Sequence, residues 1–186
     1  MDEIRIMEEI MNKTYPGLTM LYRDANLGDP GGLYKKGMII RERAFTDASK
    51  KGGGIITTHR FAIFSNNYMD ASGFEQDTNW GLCIMQKGSC FKVLDIYERH
   101  GKTQIALLHL PEQYWWFFAN VETNLDEQVV EYARKRFDEC INTAPVPELA
   151  LDNWLARCSF PLGMDDEGNF FPLRLNGVDL YGNMET

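Results

Sequence analysis

The sequence has little of what a metal centre or a disulfide scaffold needs. Its four cysteines (Cys83, Cys90, Cys140 and Cys158) contain no C-x-x-C pair, and its three histidines (His59, His100 and His109) sit at no metal-ligand spacing with them. A chain of 186 residues does not depend on cross-links to fold, so reduced thiols and no metal are the expectation. No apolar run approaches membrane-spanning length. The N-terminal "MDEIRIMEEIMNK" mixes acids among its apolar residues and lacks the basic-then-apolar order of a signal peptide. This predicts a soluble, cytoplasmic protein with no membrane contact, and leaves export by a signal-less route open.

Several catalytic fingerprints are also missing. There is no Gly-Lys-Ser/Thr phosphate loop, no G-x-G-x-x-G opening a helix and no G-x-S-x-G elbow. None of the cysteines has an evident histidine partner that would make it a nucleophile.

What is present is a core and an uneven charge. Apolar residues make up 44% of the chain, with 11 Phe, 8 Tyr and 4 Trp, enough to bury a sizeable interior. The net charge is -8, yet Lys35 to Arg60 carries seven bases against Glu42 and Asp47. An acidic body argues against broad nucleic-acid binding, which needs many phosphate contacts. A local basic segment suits one small anion such as a phosphate or pyrophosphate; the plain alternative is a solvated face balancing nearby acids.

Ile4, Met7 and Met11 recur at helical spacing, predicting an amphipathic helix over 2–14 that stops before Pro16-Gly17. "LTMLYR", "MIIRERAF" and "GIITTHRFAIFSN" read as strands. "WGLCIMQ" and "CFKVLDIYE" flank Lys87-Gly88-Ser89 as a hairpin, and "GKTQIALLHL" follows through His100-Gly101 in an antiparallel meander. Pro111 then opens a short helix, "PEQYWWFFAN", whose five consecutive aromatics either pack between sheet and helix or form a binding hot spot. Asn124 with Glu127 predicts a capped helix to 143, and another begins at Pro147, turning Leu151, Trp154, Leu155 and Cys158 inward. Loop turns are expected at Glu167-Gly168 and Asn176-Gly177. Strands followed by helices predict an α+β fold, with an α+β core over 1–110 and a helical portion over 111–186 packed on it rather than independent.

One order of motifs stands out. Arg23 ends the first strand in "LYR", "KKGMII" follows an irregular loop, and Phe45-Thr46-Asp47-Ala48-Ser49 stands where Phe-Thr-Ser-Thr-Ser would be expected. "KGSCFKVLDI" and "GKTQIALL" look like closing strands. This order resembles the mono-ADP-ribosyltransferase family of the Arg, Ser-Thr-Ser, Glu-x-Glu type, over roughly residues 18 to 110. The resemblance implies a strongly bent sheet or split β-sandwich, NAD as substrate and a protein or small-molecule acceptor. Arg23 would hold a phosphate, with Lys36 or Lys51 favouring the pyrophosphate and Thr46 and Ser49 shaping the site around the nicotinamide ribose.

The departures are specific. The family spacing puts Trp80 and Leu82 where the two acids belong, and Asp47 replaces a serine. Glu75 and Asp77 lie a few residues early and are the candidates for the catalytic carboxylate. The alternative reading is a non-catalytic acidic protein-binding module, an inhibitor or immunity-type protein with a basic partner. In that case Arg23 is a strand-end arginine paired with Asp24 or Asp29, and Thr46 and Ser49 are turn formers.

Overall fold

The computed structural model describes residues 2–175 together with 178 and 179. Helix α1 spans Glu3–Thr14 and starts at Asp2, whose carboxylate accepts the Ile4 amide at 3.2 Å. Eight strands then form one mixed sheet: β1 (Thr19–Ala25), β2 (Ile39–Arg41), β3 (Thr46–Ser49), β4 (His59–Ser65), β5 (Met69–Asp70), β6 (Leu82–Met85), β7 (Cys90–Arg99) and β8 (Lys102–Leu110). Their order is β2-β7-β8-β4-β1-β3-β6-β5, and β4 runs parallel to β8. A 3-10 segment (Glu112–Asn120), helix α2 (Asn124–Cys140) and helix α3 (Asp152–Arg157) follow, then a two-stranded ribbon of β9 (Arg174–Leu175) and β10 (Val178–Asp179). The architecture is α+β.

Two expectations about pairing are corrected. "MIIRERAF" is not one strand: β2 stops at Arg41 and the chain bends before β3, because Glu42 turns its carboxylate inward. Nor do β6 and β7 form a hairpin across Lys87-Gly88-Ser89. β6 pairs with β3 and β5, while β7 lies between β2 and β8. The β7–β8 hairpin is present, with His100 and Gly101 both at positive φ in its tight turn.

The sheet has two apolar faces. One buries Leu21, Phe61, Ile63, Val93 and Leu107 against Leu162 and Met164 of the C-terminal chain. The other buries Ala62, Phe64, Leu94 and Leu108 against α1, the 3-10 segment and α2. Of the aromatic run, Phe118 is fully buried, Tyr114, Trp115 and Phe117 are half-buried, and Trp116 is exposed. The cap of α2 lies one residue earlier than the sequence pattern suggests: Thr123 and Asp126 exchange side-chain and backbone hydrogen bonds in place of Asn124 and Glu127. Leu151, expected inward, is exposed because the chain before α3 is a 3-10 turn and changes the helical phase. A turn does form at Glu167-Gly168, while Asn176-Gly177 lies outside the described residues.

The glycine-rich stretch after Lys51 has a packing role. A Cβ at Gly52 would lie 2.3 Å from the Tyr22 ring, and one at Gly54 would lie 2.0 Å from the Thr143 carbonyl. Only a bare backbone fits between β1 and the end of α2.

His109 of β8 is buried beside the Phe91 ring, with Nδ1 2.7 Å from Ser65 Oγ. Burial pushes its pKa down to about 4. The folded imidazole therefore stays neutral where the unfolded one already takes up a proton, near its ordinary value of about 6.5. Its contribution to stability is complete above about pH 6.5 and is lost as pH falls towards about 4, by on the order of 3 kcal/mol. Urea unfolding of His109→Gln across that window should show a flatter pH dependence than the parent chain.

Candidate functional site

Alternation along β1 sends Leu21, Arg23 and Ala25 to one face and Met20, Tyr22 and Asp24 to the other. β1 and β3 meet at one register pair, Tyr22 opposite Ser49, and diverge beyond it. Arg23 bridges the resulting split. Its Nη1 donates to the Asp47 carbonyl at 2.8 Å and its Nη2 to the Phe160 carbonyl at 3.4 Å, and the guanidinium lies 4.3 Å from the centre of the Phe160 ring.

Arg23 is fully buried, and desolvation pushes its pKa below the usual arginine value. Its Nε has no partner among the described residues, nor does Oγ1 of Thr46, also fully buried. A buried guanidinium bonded only to carbonyls is costly to hold. The nearby Asp47 carboxylate is engaged elsewhere, 2.7 Å from Arg157 Nε.

The other predicted residues fall into separate places. Ser49 shares the Tyr22 face, opposite Arg23; its Oγ donates to the Trp80 carbonyl and accepts the Lys51 amide at 2.9 Å. Glu75 lies next to it. One Glu75 oxygen accepts the Trp80 amide at 2.6 Å and the other accepts the Leu82 amide at 2.7 Å. Lys51 Nζ donates to the Asn79 carbonyl at 2.6 Å. Ser49, Lys51 and Glu75 are thus neighbours along the β3–β6 edge, while Arg23 and Thr46 face the interior. Asp77 is in an exposed loop, and Lys36 is exposed 3.9 Å from Glu122 near the start of α2.

Trp80 and Leu82, the positions where acids would belong, form an apolar cluster with Trp154 and Cys158. The Trp80 and Trp154 rings lie 5.3 Å apart, and the Arg157 guanidinium sits 5.6 Å from the Trp80 ring centre. The segment continues inward. Phe160 covers Arg23, the Leu162 carbonyl accepts the Tyr34 hydroxyl at 2.7 Å, and the Gly163 amide donates to Glu42 at 2.8 Å. Gly163 has φ +78°, and a Cβ there would lie 2.6 Å from Ile40, so the close approach requires glycine.

Arg23 and Asp47 are therefore engaged by Phe160 and Arg157, while Ser49 and Glu75 are bonded to the Trp80–Leu82 segment. The sequence signals that Trp154 and Cys158 turn inward, but nothing in it marks Arg157, Phe160 or Glu42 as parts of this region. A cavity of about 680 Å³ on the opposite face, near Tyr22, Phe64, Tyr132 and Arg136, contains none of the predicted groups. Among the described residues no three His, Cys, Asp or Glu side chains cluster as a metal site would require, and no helix is long and apolar enough to cross a membrane.

No protein-family model and no curated protein matches the sequence. Among solved structures the chain is similar to exoenzyme S from Pseudomonas aeruginosa, determined with human 14-3-3 protein beta and Carba-NAD. Identity is 16%, over 55% of this chain and 54% of that one, at a TM-score of 0.44. It is similar also to the ADP-ribosyltransferase HopU1 of Pseudomonas syringae pv. Tomato (18% identity, 50% and 46% covered, TM-score 0.44). A third is the C3 exoenzyme of Clostridium limosum (12% identity, 58% and 67% covered, TM-score 0.43). The chain spans about half the length of the first two. The likeness is partial.

Proposed function

We propose that this chain is an ADP-ribosyltransferase-like protein that binds a protein partner and does not transfer ADP-ribose. The carrying observation is the pair Trp80 and Leu82, standing where two acids would be needed and packed under Trp154. Loss of nicotinamide builds positive charge on the ribose, and without a carboxylate beside it most of the catalytic stabilisation is gone. Nor do the residues here fit NAD. The Arg23 guanidinium has its face on Phe160 and its terminal nitrogens on the Asp47 and Phe160 carbonyls, and the Asp47 carboxylate beside it is held by Arg157. With the charge outside Lys35–Arg60 strongly negative, the natural partner is a basic protein.

One observation favours a second reading, NAD-dependent transfer. Glu75 reaches the start of β6 beside Ser49. Both of its oxygens already accept backbone amides, which suits a loop clasp better than a catalytic acid. Incubation with labelled NAD and candidate acceptors should release no nicotinamide and transfer no label, and millimolar NAD should leave Tm unchanged. Label transfer that disappears in Glu75→Gln would overturn the proposal in favour of the second reading.

A further inference from the structure

The positive segment that begins at Lys35 is resolved by the structure into two kinds of cation. Lys36, Lys50 and Arg60 each meet a carboxylate, at Glu122, Asp70 and Asp24. Arg41 and Arg43 meet none among the described residues, and neither does Lys87, which the turn between β6 and β7 brings beside them. On a chain of net charge -8 such a cluster is unusual.

Its construction is specific. Glu42 lies between the two arginines in sequence but is buried. Its two oxygens accept the Ala44 amide at 2.9 Å and the Gly163 amide at 2.8 Å, so its charge is directed inward. The β6–β7 turn is clasped to the same residue: Gly88 N–H donates to the Glu42 carbonyl, and Glu42 N–H donates to the Ser89 carbonyl. Two of the cationic heads rest on rings, Arg43 4.4 Å from the centre of Phe171 and Lys87 5.1 Å from that of Phe45. Ring contact orders a cation and strips part of its water without cancelling its charge. Gly88, at φ +80°, leaves space for Arg41: a Cβ there would lie 3.2 Å from Nη2.

Together these groups line a cavity of about 330 Å³. We propose that Arg41, Arg43 and Lys87 form a binding site for a phosphate or diphosphate group on a small molecule. Guanidinium forks suit the geometry of phosphate oxygens, and ordered, unneutralised cations lose little on engaging them. The acidic remainder of the chain repels a long polyanion, which restricts the ligand to a small one. This site is separate from the split at Arg23 and stands whether or not the chain transfers ADP-ribose.

The test is calorimetric titration of inorganic pyrophosphate into the full chain at low ionic strength, with ADP as a parallel arm. One-to-one binding that weakens as salt rises is expected. Arg43→Gln and Lys87→Gln should each weaken it about tenfold or more, since each removes a charge-assisted contact. Both residues are exposed, so the variants should fold as the parent does, and circular dichroism verifies this. Gly88→Ala should weaken binding, because a side chain at φ +80° strains the turn that carries Lys87 and presses on Arg41, while Arg5→Gln on the exposed face of α1 should leave it unchanged. Tighter binding of ADP than of pyrophosphate would identify a nucleotide as the source of the group; equal binding would identify the phosphate alone. No heat with either ligand, or unaltered affinity in the Arg43→Gln/Lys87→Gln double variant, would overturn the proposal.

Discussion

Replacing Trp154 with alanine should destabilise the protein by about 3–5 kcal/mol, the range for deleting a fully buried large aromatic. Trp154 is 1% exposed and is the largest fully buried side chain in the cluster that also holds Trp80, Leu82 and Cys158. It is also what pins α3 to the strand edge. Its removal should loosen the following residues, which are still held by the Arg157–Asp47 ion pair, the stacking of Phe160 on Arg23, the Tyr34–Leu162 and Glu42–Gly163 hydrogen bonds and the burial of Leu162. Denaturant unfolding measures the loss, and native-state hydrogen exchange should show faster exchange at the amides of 157–163. Trp154→Phe should cost much less, because a ring still covers Trp80. A loss below about 1 kcal/mol for alanine would mean that α3 is not docked as described. The same variant separates two accounts of the split between β1 and β3. If α3 only covered a working NAD site, Trp154→Ala would gain NAD binding; on the non-catalytic reading it does not.

Local features of the fold were legible where local chemistry decides them. The existence of α1, its stop before Pro16-Gly17 and the β7–β8 turn at His100-Gly101 are each set by residues within a few positions. The face α1 buries is not the expected one: Ile6 and Ile10 pack on the sheet while Ile4 and Met7 are exposed, because which stripe is covered depends on the partner. Pairing across distance was not. The Lys87-Gly88-Ser89 turn looks like a hairpin because turn residues report a reversal but not which strand lies alongside. β2 occupies the edge of β7 that β6 would have taken. The candidate site shows the same divide. The sequence pattern ends the first strand at Arg23, but β1 runs on to Ala25, and Phe160, which covers the guanidinium, is 137 positions away, with no spacing rule to link the two. The basic run was visible as charge. Which of its members are neutralised depends on Asp24, Asp70 and Glu122, brought in from three other elements.

Asp24→Ala should cost about 3–5 kcal/mol, comparable to removing Trp154, through electrostatics rather than volume. Asp24 holds Arg60 in a bidentate pair, with Nε at 2.7 Å and Nη2 at 2.8 Å. Arg60 is 2% exposed, also donates to the Gly53 carbonyl at 2.9 Å and lies 5.0 Å from the centre of the Tyr22 ring. Its Nη1 already lacks a partner among the described residues. Without the carboxylate the guanidinium would remain buried beside a ring and a single carbonyl, too far from water to be solvated. Replacing both partners, as in Asp24→Leu with Arg60→Met, should recover most of the loss or more, since an apolar pair needs no compensation for desolvation. The four proteins of this cycle give the coupling directly from chemical denaturation. A single-variant loss of no more than about 1 kcal/mol would show that the pair behaves as an exposed one. Were that so, the Gly52–Gly54 strap would be held by its close backbone fit alone. The strap ties β1 to the end of α2 through the Gly53 carbonyl on Arg60 and the Gly54 amide on the Ala144 carbonyl, so loss of the ion pair should loosen both contacts together.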